Sequence, residues 1–306
     1  GSNHGRMRSF ARGVLAARAT GGFDRVVGFN RLPGLDVYFA ADSCFAEHLS
    51  SKPTPVRWLP RYASYLKLEQ AVTAANGPLI LFLNDDQRDQ YLRHYPLAAN
   101  RYAVLPPGIE RDRQRPADHE ALRQQTRESL GVDEQETLLL FLGSGFKVKG
   151  LDRALKAFAT LPETAKLMIV GNDQADAYLS GLAESLRCGI LVLGPRDDVT
   201  ALMQAADMLL HPAYRESAGM VLLEATVAGL PVLTTDTCGY ARYVREAGSG
   251  EIILSPFSQQ ALDDTLQKMV RQLPGPWQEN GVEYGRNPAL YCLAQTVMDQ
   301  VENWTP

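Results

Sequence analysis

Short apolar runs alternate with amphipathic stretches along the second half of the chain, and this alternation limits the fold more than any other feature. The runs have the length and composition of buried strands, and the stretches between them have helical spacing. Six strands are predicted, at Leu138–Leu142, Leu167–Val170, Ile190–Leu193, Met208–Leu210, Val232–Thr235 and Ile252–Leu254. Helices are predicted near 151–160, 176–187, 198–206, 219–229, 240–247 and 258–272. This order predicts an α/β fold with a parallel sheet wound on both faces, which binds ligands beyond the carboxyl ends of its strands.

The first half of the chain shows a similar but incomplete pattern. Strands are predicted at Arg25–Phe29, Val37–Ala40, Leu79–Leu83 and Tyr102–Leu105, and no strand is predicted before residue 25. Pro106-Pro107-Gly108 then breaks the chain, and a polar stretch at 110–119 follows. A chain of 306 residues is long enough for two domains. We therefore expect an N-terminal domain at 1–112, a C-terminal domain at 113–284, and a final helix in 285–306 that crosses back to the N-terminal domain.

Composition and cysteine usage exclude several classes of protein. With 45% hydrophobic and 22% charged residues, the chain has the composition of a soluble globular protein. No apolar run approaches the roughly 20 residues that a membrane-spanning helix needs. Four scattered cysteines, without metal-ligand spacing, predict free thiols in a reducing compartment. They are Cys44, Cys188, Cys238 and Cys292.

Charge is divided unevenly along the chain, and one segment combines cations with aromatic rings. Residues 1–113 carry 15 basic and 10 acidic side chains, whereas the remainder carries 16 basic and 25 acidic ones. A basic first half favours an anionic partner there. Within residues 53–69, aromatic rings lie between basic side chains, a mixture that suits a membrane interface. An amphipathic helix that packs its aromatic rings inward fits this segment equally well. The side chains concerned are Arg57, Trp58, Arg61, Tyr62 and Lys67.

Two acids flank a small-residue turn that follows the fourth predicted strand of the second half. Glu216 and Glu224 lie on either side of Gly219, where a helix is predicted to begin. The unpaired N–H groups of a helix N-terminus suit an anion, and two nearby carboxylates suit hydroxyl groups. A sugar nucleotide contains both an anionic phosphate group and hydroxyl groups. On spacing alone, Glu216 is equally well explained as a partner of the helix dipole and Glu224 as a surface acid.

A glycine-rich turn with two lysines lies between the first strand and the first helix of the second half. The segment Gly143–Gly150 contains Lys147 and Lys149. It fails as a dinucleotide fingerprint, because Val148 stands at the third glycine position. It fails as a Walker A loop, because Leu-Asp follows the last glycine in place of Lys-Ser/Thr. A lysine at this edge of the sheet can neutralise a diphosphate, but a plain turn with solvent-facing lysines is the simpler explanation.

Three further motifs allow a structural explanation beside a functional one. The turn at Arg196 suits a pyrimidine base, with the guanidinium stacked on the ring, while Asp197 or Asp198 can equally cap the next helix. Asn84-Asp85-Asp86-Gln87 is better explained as a helix cap than as a metal carboxylate pair. His211, before a proline at a strand end, is expected to be structural. The sequence contains no Asp-x-Asp motif and no His or Cys cluster of metal-ligand spacing.

Taken together and in this order, these motifs resemble the retaining GT-B glycosyltransferases of family 4, which carry a Glu-x7-Glu motif in the C-terminal half. Within that family the resemblance is to the lipopolysaccharide core glucosyltransferases, and it covers nearly the whole chain. The resemblance implies two Rossmann-like domains that face each other across a cleft. The stretches that carry it are Asn3–Arg6, Arg25–Asn30, Pro33–Asp42, Leu105–Ile109, Leu209–Glu224 and Ala228–Thr235.

The family resemblance also implies a role for each motif. Glu224 is expected to bind the ribose of UDP, and Glu216 the hydroxyls of the transferred sugar. Lys149, assisted by Arg113, is expected to neutralise the diphosphate, and Asp42 to face the acceptor or the reacting sugar. The implied catalytic residues are Asp42, Glu216 and Lys149. The implied donor-binding residues are Glu224, Arg113, Lys147, Arg196, Ser144, Gly145, Ala218, Gly219, Met220 and Val221.

Two departures from the family pattern affect these expectations. The family has adjacent Arg-Lys before the loop glycine, whereas Val148 precedes Lys149 here, so Lys147 is expected to supply the missing charge. The family also begins with a strand and a Gly-Gly loop that nothing in this chain matches. We therefore expect the N-terminal domain to lack its first strand and that loop, and the turn near Thr164 to lack a few residues.

The expected function is transfer of a hexose, glucose first, from a UDP-sugar to the heptose of the lipopolysaccharide inner core, with retention of anomeric configuration. No metal or other cofactor is expected, and no nucleic-acid partner. The partners are the UDP-hexose, the lipid A–core acceptor and the anionic cytoplasmic face of the inner membrane, on which the protein is expected to be peripheral. Two alternatives stay open: a UDP-sugar epimerase or hydrolase on the same fold, and a membrane-associated module that binds a sugar nucleotide without turnover.

Overall fold

The chain folds into two compact units. The computed structural model describes residues 3–50, 52–53 and 59–305. The first unit comprises Gly1–Pro107 and Cys292–Pro306, and the second comprises Gly108–Tyr291. The divisions between the units thus fall at 107/108 and 291/292, next to the Pro106-Pro107-Gly108 break and after the last helical segment of the second unit.

The first unit is built on a parallel sheet of four strands in the order β1-β2-β3-β4. The apolar run of β3 is buried along its whole length, as expected of a strand covered on both faces. Its strands are β1 (Val27–Gly28), β2 (Val37–Ala40), β3 (Leu79–Phe82) and β4 (Tyr102–Val104). Its helices before the division are α1 (Asn3–Ala19), α2 (Phe45–Ser50), α3 (Pro60–Thr73) and α4 (Asp85–His94), with a 3₁₀ turn at Ala99–Arg101.

The second unit is built on a parallel sheet of six strands. The strands are β5 (Thr137–Leu142), β6 (Ala165–Val170), β7 (Ile190–Gly194), β8 (Met208–His211), β9 (Val232–Thr235) and β10 (Gly250–Ile253). The helices are α5 (His119–Leu130), α6 (Phe146–Lys149), α7 (Leu151–Phe158), α8 (Asp176–Leu179), α9 (Glu184–Cys188), α10 (Val199–Ala205), α11 (Met220–Val227), α12 (Ala241–Ala247), α13 (Gln259–Arg271) and α14 (Trp277–Tyr284). Short 3₁₀ turns lie at Arg111–Arg113 and Pro288–Leu290. Buried apolar clusters cover both faces of this sheet.

Strand order places a binding position in the second unit. The order is β10-β9-β8-β5-β6-β7, and all the pairs are parallel. The direction of winding reverses between β5 and β8, which is the doubly wound arrangement with its topological switch point there. The loops that follow β5 and β8 therefore begin at the edge where such sheets bind ligands. The predicted α/β fold with a sheet wound on both faces is confirmed.

The final helix belongs to the first unit. In α15 (Leu293–Asn303), Leu293, Val297 and Val301 recur at intervals of four and pack against the apolar face formed by Val37, Leu79, Leu81 and Leu105. Spacing of this kind puts one stripe of a helix against a core. The backbone oxygen of Trp304 also accepts a 2.7 Å hydrogen bond from Arg25.

Local differences from the sequence-based predictions have simple causes. The helix predicted at 176–187 is two short helices, because Gly181 lies in its middle and glycine is a poor helix former. The sequence pattern does not indicate helix α1, because its apolar stripe is narrow and four arginines lie among the apolar residues. The stripe consists of Met7, Ala11 and Val14. The cap prediction at Asn84 is confirmed, since its side chain accepts a 2.8 Å bond from the Gln87 amide. Among the described residues, no helix is long and apolar enough to cross a membrane.

Candidate functional site

The loops that leave β5 and β8 touch at the switch point of the second unit. The backbone N–H of Tyr214, after β8, donates a 2.8 Å hydrogen bond to the oxygen of Val148, after β5. Gly150 has φ +78°, and a Cβ there would lie 2.2 Å from the oxygen of Pro212. Only glycine combines this left-handed conformation with so close an approach. The two loops are therefore held together by backbone contacts that depend on Gly150.

Lys149 and Glu216 meet across this loop contact. The ammonium group and Glu216 Oε2 form an ion pair, and both side chains are about one-fifth exposed (19% and 18%). Burial lowers the pKa of Lys149, because desolvation disfavours the charged amine. The pairing brings together two of the three predicted catalytic residues, from loops 67 positions apart in the chain.

His211 lies directly behind this ion pair. Its ring is fully buried at the end of β8, and Nε2 is 3.8 Å from Glu216 Oε2, too far for a hydrogen bond. Neither ring nitrogen has a hydrogen-bond partner among the described residues. Burial, and secondly the charge of Lys149, lowers the pKa of His211 to about 3, so the imidazole is uncharged at neutral pH.

The loop that carries Glu216 is fixed on two sides. The N–H of Glu216 donates to the oxygen of Thr237 at 3.1 Å, and its own oxygen accepts from Gly239 at 3.1 Å. On the other side, the guanidinium of Arg153 lies 3.5 Å from the ring centre of Tyr214 and 3.6 Å from that of Phe257. Cation–π contacts of this kind hold an aromatic loop residue in place. The sequence gives no signal for Arg153, because its two aromatic partners are distant in the sequence.

Helix α11 begins beside Glu216 with its N-terminal amides directed toward the same loop. Gly219 precedes the helix with φ +84°, and a Cβ there would lie 3.1 Å from Glu216 Cγ. The first amides of a helix have no partner within it, so this terminus can bind an anion. Ala218, Gly219, Met220 and Val221, the predicted amide donors, form this turn.

Glu224 lies further along α11 and is paired with Arg113. Its Oε1 is 3.8 Å from Arg113 Nε, an ion-pair distance without a hydrogen bond. Arg113 Nη1 also donates to Thr200 Oγ1 at 3.2 Å. Burial raises the pKa of Glu224, and the nearby guanidinium only partly opposes that effect. The structure thus brings together a second predicted pair in the same unit.

The other predicted donor ligands lie in exposed turns along the same sheet edge. Ser144 Oγ accepts a 3.2 Å bond from the backbone N–H of Asn172, and Gly145 precedes α6 with φ +79°. Lys147 is exposed within α6. Arg196, after β7, forms two hydrogen bonds with Asp198, at 2.8 and 2.5 Å. The side chain of Asp198 therefore does not cap α10, and that prediction is wrong for Asp198.

Asp42 belongs to the first unit and lies close to a buried charged network. It follows β2, is 66% exposed, and has its Oδ2 3.8 Å from Arg31 Nη1. Arg31 Nε pairs with Glu69 Oε2 at 3.0 Å, and Glu69 is fully buried. Glu69 also accepts from the amides of Phe45 and Ala46, at 2.6 and 2.8 Å, and so caps α2. No spacing in the sequence indicates this pairing, because Arg31 and Glu69 lie on separate elements.

The basic-aromatic segment is partly described. Arg57 and Trp58 lie outside the described residues. On α3, Arg61 and Lys67 are exposed, and the Arg61 guanidinium lies 4.7 Å from the ring centre of Tyr62. Tyr62 is half-buried, 5.9 Å from the ring of Phe45. The segment therefore combines an inward-packing aromatic ring with outward-facing cations.

Comparison with known proteins identifies the class to which this fold and site belong. The family described as "Glycosyl transferases group 1" matches residues 123–287. The chain is 42% identical to the lipopolysaccharide glucosyltransferase WaaG of Escherichia coli (strain K12), over 97% of this chain and 82% of that protein. It is 33% identical to the D-inositol 3-phosphate glycosyltransferase of Rhodococcus jostii (strain RHA1), over 60% of this chain and 43% of that protein. The chain belongs to the group 1 glycosyl transferases.

Solved structures agree with this assignment. A crystal structure of WaaG, described as a glycosyltransferase involved in lipopolysaccharide biosynthesis, superposes with a TM-score of 0.93 at 41% identity, over 99% of this chain and 84% of that one. Sucrose-phosphate synthase from Thermosynechococcus elongatus superposes with a TM-score of 0.78 at 19% identity, over 98% of this chain and 79% of that one. The second likeness concerns the fold alone. The predicted GT-B fold is confirmed, while the family 4 assignment and the retaining outcome stay predictions.

Proposed function

We propose that the protein transfers a hexose, glucose first, from a UDP-sugar to the heptose of the lipopolysaccharide inner core. The observation that carries the proposal is the group of Lys149, Glu216 and the α11 amides at the switch point of the second sheet. Cation and amides suit a diphosphate, and a carboxylate beside them suits sugar hydroxyls. The substrate assignment is supported by the 42% identity to a lipopolysaccharide glucosyltransferase.

Each residue of the donor site then has a role. Glu224 binds the ribose hydroxyls, and Arg113, 3.8 Å away, supplies positive charge toward the diphosphate together with Lys149. Lys147 adds charge from its exposed position, and Ser144 and Gly145 form the turn below the phosphates. Arg196 stacks on the uracil after it separates from Asp198. The separation is easy because this ion pair is exposed and contributes little free energy. Asp42, in the first unit, is assigned to the acceptor side.

The reaction breaks the bond between the anomeric carbon and the β-phosphate oxygen and forms one to the acceptor hydroxyl. Negative charge builds on the leaving phosphate, where Lys149, Arg113 and the α11 amides stabilise it. The acceptor attacks from the face that UDP leaves, which retains the anomeric configuration, and the leaving phosphate takes the acceptor proton. We propose that this step needs no metal, because Lys149, Arg113 and the α11 amides supply the positive charge at the leaving phosphate.

The membrane role is proposed for the exposed cations of α3. Arg61 and Lys67 face solvent, and Arg57 and Trp58 precede them in sequence. Such cations attract the anionic lipids of the cytoplasmic leaflet. Flotation with anionic vesicles tests this role: neutralising Arg57, Arg61 and Lys67 together is expected to abolish binding. Vesicle binding that persists in the triple variant contradicts it.

Product analysis tests the transfer reaction. The protein is incubated with UDP-glucose and a heptose-terminated lipid A–core acceptor, and the new anomeric signal is identified by ¹H NMR. An α-glucosyl product is expected, with turnover unchanged by a chelator. A β-linked product contradicts retention, and loss of turnover with the chelator contradicts the metal-free step. Epimerised or rapidly hydrolysed UDP-glucose without acceptor favours the epimerase or hydrolase alternative, and UDP-glucose binding without any turnover favours the binding module.

A further inference from the structure

Lys149 and Glu216 neutralise each other in this structure. The Lys149 ammonium pairs with Glu216 Oε2, and both side chains are largely buried. The proposed donor needs the two groups separately, Lys149 for the diphosphate and Glu216 for the sugar. Binding of the donor therefore draws Lys149 toward the diphosphate and leaves Glu216 Oε2 without its cation, while the sugar hydroxyls take the other oxygen. A largely buried oxygen of this kind requires another hydrogen-bond donor.

Within the part of the chain that the structure describes, His211 is positioned to replace Lys149. It contacts the same oxygen of Glu216, at 3.8 Å, and neither of its ring nitrogens has a partner among the described residues. A buried imidazole without a partner is unfavourable unless some state of the protein supplies one. Since its lowered pKa keeps the ring uncharged, it can donate one hydrogen bond without adding a charge to the site.

The backbone allows this exchange by moving Glu216 rather than His211. Thr234 Oγ1 donates a 2.9 Å bond to the His211 oxygen, and Pro212 follows directly, so the imidazole is held at the end of β8. Beside Glu216, Gly219 has no Cβ, and a Cβ there would lie 3.1 Å from Glu216 Cγ. The absence of a Cβ at Gly219 therefore leaves Glu216 uncrowded on that side.

We propose that His211 is a positioning residue for Glu216, and that its Nε2–H becomes the partner of the Glu216 carboxylate when the donor diphosphate engages Lys149. This inference rests on the proposed function, because it assumes a diphosphate-linked sugar at this site. His211 acts through Glu216 and has no contact of its own with the reacting atoms. The exchange makes donor binding and carboxylate orientation depend on each other.

Variant kinetics test the exchange. His211→Leu removes the donor N–H and is expected to raise the Kd of UDP-glucose about tenfold and to lower kcat by a similar factor. His211→Gln retains a side-chain N–H and is expected to restore most of both losses. In a Glu216→Ala background, His211→Leu is expected to have no further effect, because the side chain that accepts the His211 N–H is gone. Thr234→Val is the control for disturbed packing, and its effect is expected to add to that of Glu216→Ala. Additive effects of His211→Leu and Glu216→Ala overturn the proposal.

A spectroscopic measurement keeps the proposal testable if His211→Leu fails to fold. In wild-type protein with ¹⁵N-labelled histidine, the His211 ring signals are identified by comparison with His211→Gln and are expected not to titrate between pH 5 and 8. Addition of UDP-glucose is expected to shift its Nε2–H signal downfield, and the shift is expected to be absent in Glu216→Ala, which has no side-chain acceptor. Wild-type protein that binds UDP-glucose without this shift overturns the exchange and leaves the proposed function standing. Wild-type protein that binds neither UDP nor UDP-glucose overturns the proposed function itself.

Discussion

Each unit has a cation–carboxylate pair near the carboxyl ends of its parallel sheet, but the two pairs are satisfied to different degrees. In the first unit Glu69 is fully buried and accepts bonds from Arg31, two backbone amides and the Tyr95 hydroxyl. In the second unit Glu216 is one-fifth exposed, bonded to Lys149 and flanked by an imidazole without a partner. A fully satisfied buried network stabilises one structure, whereas an incomplete one leaves groups for a ligand. The comparison therefore predicts a stability role for Glu69 and a binding role for Glu216.

The largest effect on stability is expected for Glu69→Gln. This change removes the charge opposite Arg31 in a buried pair and is expected to lower the free energy of unfolding by about 3–5 kcal/mol. Urea unfolding measures the loss. Glu47→Gln is the matched control, because Glu47 pairs with Arg93 in a partly exposed position and is expected to cost less than about 1 kcal/mol. Equal losses for the two variants would contradict the structural role of Glu69.

Glu216→Ala is expected to show the opposite behaviour. Because the carboxylate is assigned to the transferred sugar, kcat is expected to fall about 10²–10³-fold. The free energy of unfolding is expected to fall by about 1–2 kcal/mol, less than for Glu69→Gln, because the Lys149 left behind is largely buried but one-fifth exposed and can reach water. Glucosyl transfer and urea unfolding are measured on the same preparation, with Glu279→Ala, an 81% exposed acid of the same unit, as control. Wild-type turnover in Glu216→Ala would remove the Glu-x7-Glu assignment.

Loss of the backbone contact between Gly150 and Pro212, next to the Lys149–Glu216 pair, is expected to have an intermediate effect on stability. Gly150→Ala places a Cβ 2.2 Å from the Pro212 oxygen at φ +78°, so the loops of Lys149 and Glu216 must separate. A loss of at least about 2 kcal/mol in unfolding free energy is expected, with reduced transfer activity. Gly131→Ala is the control, because Gly131 has φ +66° but open space around it, and about 1 kcal/mol is expected. If the two losses are the same, the loop contact does not hold the site.

Sequence patterns predicted the sheets better than they predicted the pairs. The strands of the second unit are apolar runs between glycines and polar turns, and that local signal was sufficient to place Val232–Thr235 at its observed bounds. The spacing of Glu216 and Glu224 marked the site for the same reason, because both lie on one turn and the helix that follows it. The pairing of Lys149 with Glu216 could not be predicted, because it depends on the strand order that brings β5 beside β8. The lack of a hydrogen-bond partner for the His211 ring among the described residues likewise could not be predicted, because it depends on which elements pack around the end of β8.

The burial of Glu224 leads to the smallest expected effect, a gain in stability. Burial raises the pKa of Glu224, so the folded protein binds this proton more readily than the unfolded chain does. Ionisation of Glu224 therefore lowers the free energy of unfolding, and the full loss is present at pH values above the pKa of Glu224 in the folded protein. The loss disappears as the pH falls below the pKa of Glu224 in the unfolded chain, which is about 4.3.

Glu224→Gln removes this cost and is expected to raise the free energy of unfolding at pH 7 by roughly 0.5–1 kcal/mol, with a difference near zero below about pH 4. The same variant is expected to bind UDP more weakly, because the ribose loses its carboxylate. Urea unfolding at both pH values and UDP titration are the measurements, and the exposed Glu163→Gln is the control that should change neither. A destabilised Glu224→Gln would mean that its pairing with Arg113 outweighs its burial. Glu224 would then resemble Glu69, whose carboxylate is fully paired, more than Glu216, whose carboxylate is not. The contrast between the two units would then hold for Glu216 alone and not for the carboxylate assigned to the ribose.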